Sequence, residues 1–88
     1  GKPMEETKVV LILIDKRTDA APKVQEILTE NGCIIKTRLG VHETTTCADE
    51  GLIFLNVVGS DNDVNELLEE LNNVNRVNAK LVKMSLTD

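Results

Sequence analysis

The chain has 88 residues, with ten Lys and Arg against fifteen Asp and Glu and a formal charge of −5. An acidic chain whose single aromatic residue is Phe54 lacks the basic footprint of a nucleic-acid or anionic-membrane binder. It also lacks the stacking platform that single strands require. One domain of this length buries only roughly 60–65% of its unfolded surface, which favours self-association as a further source of stability.

The opening Gly1-Lys-Pro-Met-Glu-Glu6 reads as a cloning remnant or disordered N-terminus (1–6), with a native start near Met4 and one ferredoxin-like domain over 7–88. No run reaches the ~18 apolar residues of a membrane span, and no basic-then-apolar leader is visible. Cys33 and Cys47 lack a CxxC spacing, so the expectation is two reduced thiols and a cytoplasmic location.

The first element is Lys8-Val-Val-Leu-Ile-Leu-Ile14, a strand apolar on both faces. Such a strand must be covered on both sides, whereas a half-buried one alternates. The polar break Asp15-Lys-Arg-Thr-Asp19 follows, then a helix from about Ala20 with Thr18 or Asp19 as N-cap and Pro22 in its first turn. Val24, Ile27 and Leu28 form its buried stripe. Asn31-Gly32 predicts a left-handed C-cap.

Residues 33–41 alternate as a strand, with Ile35, Leu39 and Val41 expected inward and Lys36 and Arg38 outward. Cys33 reads as a small core residue. Residues 42–50 form a polar, Thr-rich connection, longer than a usual hairpin loop. It reads as a binding or assembly loop, or as an extension of both strands into a projecting arm.

Leu52-Ile-Phe-Leu-Asn-Val-Val58 is the second strand apolar on both faces, closed by Gly59. Ser60-Asp-Asn-Asp63 has the form of a helix start with Ser60 as cap. Its acids suit the helix dipole better than a calcium loop, whose central Gly and terminal Glu are missing. Val64, Leu67, Leu68, Leu71 and Val74 continue as an apolar face, and residues 77–84 form a last strand carrying Lys80 and Lys83.

Two strand-helix-strand units in this order predict an α+β fold, a ferredoxin-like βαββαβ sandwich with a four-stranded antiparallel sheet and two helices on one face. The first and third strands are then central, and the charged second and fourth are edges, where charge blocks indiscriminate pairing. One apolar sheet face is left for a partner, and the expected partner is another copy of the chain. The alternative is that residues 42–50 fold across it.

Chemistry is sparse. His42, Glu43 and Cys47 are donor types for zinc, nickel or iron, so His42 and Cys47 are the candidate metal ligands. Three donors are too few for a closed site unless subunits share it, and a solvated loop is the plainer reading. No base-oriented nucleophile and no glycine-rich phosphate loop is present, so neither catalysis nor a cofactor is expected.

Four segments, Lys8-Val-Val-Leu-Ile-Leu-Ile-Asp15, Val24-Gln-Glu-Ile-Leu28, Thr37-Arg-Leu-Gly-Val-His42 and Gly51-Leu-Ile-Phe-Leu55, together resemble the small bacterial iron-only hydrogenase system regulators. The resemblance spans residues 7–86, with Arg38-Leu39-Gly40 its most specific element. That family is grouped with ACT-like regulatory domains and with the sensor domain of nickel-responsive repressors. The resemblance implies an oligomeric, non-catalytic, ACT-like regulatory or sensing module that takes a small-molecule effector or a protein partner. The turn at 15–19 lacks the Gly and Pro of amino-acid-binding ACT domains, and one His with one Cys falls short of the nickel sensors' ligand set. A metal- or redox-responsive sensor using His42 and Cys47, and a structural oligomerisation domain, are the alternatives.

Overall fold

The computed structural model describes residues 6–40 and 49–86. In chain order they form β1 (Thr7–Asp15), α1 (Ala20–Glu30), a 3₁₀ turn (Gly32–Ile34), β2 (Ile35–Gly40), β3 (Glu50–Val57), α2 (Asp61–Asn72) and β4 (Val77–Met84). The sheet order is β2-β3-β1-β4, antiparallel throughout. The two strands with long apolar runs are central, and the strands carrying Lys36, Lys80 and Lys83 are edges, as the ferredoxin-like expectation requires.

Alternation along β1 divides its side chains between two environments. Val10, Ile12 and Ile14 are buried and face the helices. Val10 stands opposite Leu55 and Leu81, and Ile12 opposite Ile53 and Ala79. Val24 and Leu28 of α1 and Val64, Leu67 and Leu71 of α2 close the layer. Each such side chain contributes about 1.5–3 kcal/mol relative to exposure. The other face carries Val9, Leu11 and Leu13 with Leu52 and Phe54, and no element among the described residues covers it.

The helix starts follow local hydrogen bonding. Thr18 Oγ1 accepts from Ala20 N–H at 3.1 Å and donates to the Asp15 carbonyl at 2.8 Å, whereas Asp19 pairs with Lys23 one turn on. At α2, Ser60 Oγ accepts from Asp63 N–H at 3.1 Å. Gly59 takes φ +120°, and a Cβ there would meet Ile34 Cγ2 at 3.0 Å, so the β3–α2 turn favours glycine on two counts.

Three local expectations are overturned. Helix α1 has no left-handed cap: Asn31 has φ −104°, and Gly59 is the one glycine with positive φ among the described residues. Asn31 instead satisfies the open end of the helix, its Nδ2 and backbone N–H both donating to the Ile27 carbonyl. The chain then tightens into the 3₁₀ turn. That turn leaves Cys33 exposed and packs Ile34 against the core in its place.

Third, β2 is inverted beyond its first residue. Ile35 pairs with Val57 and points inward, but the next partnered residue is Thr37, opposite Asn56. The bulge at Lys36 shifts the phase by one. Arg38 therefore stands opposite buried Leu55 on the helix side, and Leu39 stands opposite Phe54 on the open face, 60% exposed. Val41 lies outside the described residues.

Candidate functional site

At one end of the sheet a cleft of about 470 Å³ opens between α1 and the β2–β3 edge. Ile14 and Ile53 form its aliphatic side, Ala21 and Gln25 of α1 its helical wall, and Gly40 and Gly51 part of its floor. Lys16 and Arg38 supply its charge. No carboxylate lines it among the described residues.

Each cation arrives by a specific device. Arg38 comes through the β2 bulge. Lys16 is held at its backbone, its N–H donating to the Asp49 carbonyl at 2.7 Å, while its side chain crosses Gly51. A Cβ on Gly51 would stand 3.1 Å from Lys16 Cε.

Beside the cleft the turn is locked by Asp15, whose side chain is only 8% exposed. Asp15 Oδ1 accepts from Arg17 N–H and Arg17 Nε–H, and Oδ2 accepts from Arg17 Nη2 and Arg76 Nε–H, all at 3.0–3.1 Å. Asp15 N–H donates to the Arg76 carbonyl, and Arg76 holds φ 67°, a left-handed conformation uncommon for a side chain of its size. The Arg17 guanidinium, then the Arg17 backbone N–H and Arg76, hold the Asp15 carboxyl well below the usual carboxylate range. Asp15 in turn raises Arg17. The cluster ties the β1–α1 turn to the α2–β4 turn, 61 positions away.

The opposite end of the sheet has its own ionic group. Asp61 accepts from Lys83 Nζ at 3.3 Å and pairs with Lys8 Nζ at 3.4 Å, and both lysines lower its pKa. Asp61, the first residue of α2, thus pins that helix to β1 and β4.

His42 and Cys47, the metal ligands expected from sequence, lie outside the described residues, as does the arm or loop expected of that connection. Among the described residues no group of three metal-ligating side chains occurs, and no helix is long and apolar enough to cross a membrane. Sequence reasoning missed Lys16, Arg38 and Gly51 as a group. Its one available signal was a Lys-Arg pair following a buried strand; the bulge that brings Arg38 across left no mark in the pattern.

No protein-family model and no curated protein sequence matches the chain. Solved structures do share its fold. An uncharacterized protein from Thermotoga maritima superposes with a TM-score of 0.80 at 22% identity, covering 91% of this chain and 99% of that one. A protein described as PII-like and signalling, from Thermus thermophilus, gives 0.62 at 13% identity, covering 98% and 94%. CPII from Thiomonas intermedia, solved with ADP and bicarbonate, gives 0.62 at 13% identity, covering 98% and 93%. The chain shares the ferredoxin-like α+β fold of these structures. At these identities the likeness is one of fold.

Proposed function

We propose that this chain is a non-catalytic, ACT-like regulatory module, a single ferredoxin-like unit over residues 7–88, that works as a homo-oligomer and takes a small-molecule effector in the cleft between α1 and the β2–β3 edge. The observation that carries this reading is the cleft itself. Its volume lies within the range of small-ligand pockets, roughly 300–1,000 Å³, and it joins apolar walls to a few convergent polar groups.

Two further observations support it. CPII, which shares this fold, was solved with ADP and bicarbonate bound. The open sheet face presents Leu13, Leu39, Val82 and Met84 to solvent, an apolar surface suited to a second copy. The resemblance to iron-only hydrogenase system regulators gives the finer reading: a cytoplasmic regulator of a hydrogenase system or of transcription, acting through protein partners and without direct nucleic-acid contact.

The test joins light scattering to a thermal-shift screen. An oligomer is expected at tens of micromolar protein. An effector at a hundredfold excess over its Kd adds about 2.7 kcal/mol of stability, readable as a shift in Tm. A monomer that no metabolite stabilises would sink the proposal.

A further inference from the structure

We infer that the cleft is built for an anionic ligand, a molecule with one phosphate or carboxylate group on a compact apolar or ring body, whose charged end sits between Lys16 and Arg38. This rests on the reading of the cleft as an effector site and names the chemistry of what enters it.

The charge distribution carries the argument. The chain has five more acids than bases, and most of its cations outside the cleft are matched. Lys8 and Lys83 share Asp61, Lys23 takes Asp19, and Arg17 and Arg76 share Asp15. Lys16 and Arg38 have no ion-pair partner among the described residues, and, unlike Lys36 and Lys80, which are also unpaired there, both line this cleft. Two like charges brought into one cleft repel each other, an arrangement that an anion relieves. Arginine adds the planar fork that suits phosphate and carboxylate oxygens.

The rest of the cleft limits the ligand. Its volume of about 470 Å³ exceeds the needs of a bare inorganic anion. Ile14 and Ile53 offer an aliphatic surface for an attached body, and the Gln25 amide offers both donor and acceptor groups. Gly51 is a positioning residue. The Lys16 side chain crosses it closely enough that a Cβ would meet Cε at 3.1 Å. Because the atom displaced belongs to a flexible chain, Gly51→Ala moves the ammonium and leaves the backbone in place.

Matched probes separate the parts. AMP against adenosine tests a phosphate, and benzoate against benzamide tests a carboxylate, each pair sharing a ring body. Binding to the full chain is followed by titration calorimetry and by the amide resonances of Gly40 and Gly51. The anionic member of at least one pair is expected to bind about tenfold tighter than its neutral partner, a ratio worth ~1.4 kcal/mol. The preference should shrink as added salt screens the charges. Lys16→Ala and Arg38→Ala should each remove most of that preference and leave Tm within about 4 °C, since both are surface substitutions. Gly51→Ala should weaken the anion partially, and should add nothing in the Lys16→Ala background.

Equal binding of the neutral and anionic members overturns the anionic class but leaves the cleft as a small-molecule site. Undiminished anion binding in both Lys16→Ala and Arg38→Ala overturns the site. Absence of binding by all four probes at millimolar concentration overturns the inference together with the reading beneath it.

Discussion

The two faces of the sheet are built from the same kinds of side chain and end in opposite environments. Along β1, Val10, Ile12 and Ile14 are at most 3% exposed, whereas Leu13, one position from Ile14, is 39% exposed. Composition cannot explain the difference, since both sets are aliphatic. The helices explain it: two amphipathic helices supply apolar stripes for one face, and the described residues hold no third element for the other. A strand apolar on both faces thus records two burial events, of which the chain's own helices accomplish one.

Breaking the covered face should cost most. Ile12→Ala removes packing from the centre of the core and is expected to destabilise by about 2–5 kcal/mol, read as a lowered urea midpoint at unchanged slope. Weakening the cover indirectly should cost less. Ser60→Ala leaves one backbone N–H at the start of α2 without its acceptor, for a loss of about 1 kcal/mol, whereas Ser60→Asp should retain most of it.

At the rim between the faces, Asp15 predicts the pH response. Its carboxyl lies below the unfolded value of about 3.9, so its contribution is fully present above that value and is lost as the pH falls through the folded pKa. Urea midpoints from pH 7 to pH 2 should decline more steeply for the native chain than for Asp15→Asn. Parallel curves would show that the two arginines, 61% and 58% exposed, leave the carboxylate effectively solvated.

The smallest effect on monomer stability is expected on the open face. Leu39→Asp should change it by no more than about 0.5 kcal/mol, because Leu39 packs little within one chain. The same substitution should lower the mass seen by light scattering toward the monomer. A mass unchanged by Leu39→Asp and by Val82→Asp together would place the association surface elsewhere.

Much of this fold was legible because its signals are local. The β4 bounds, the Ser60 cap and the buried stripes at Val24–Leu28 and Val64–Leu71 all follow from spacing over a few residues. The candidate site was far less so. Arg38 reaches the cleft because one residue of β2 goes unpaired against β3, and pairing register is a property of two strands. The partner of Asp15 lies at Arg76, across nearly the whole chain, so a turn that reads as merely polar is in fact clamped from two sides. Cys33 went astray for a related reason: Asn31 closes the helix with its own side chain, and the chain leaves in a tighter turn than Asn-Gly suggests.

By itself, the sequence determined the order of elements, the central place of β1 and β3, and the surplus of apolar surface that two helices cannot cover. These follow from the period of the hydrophobic pattern and the number of elements available to satisfy it. Only the tertiary structure decided which side chains share a face on β2, which cations line the cleft, and how Asp15 joins two turns. Those depend on strand register and on contacts between segments far apart in the chain, where shifting one residue exchanges the inside of a strand for its outside.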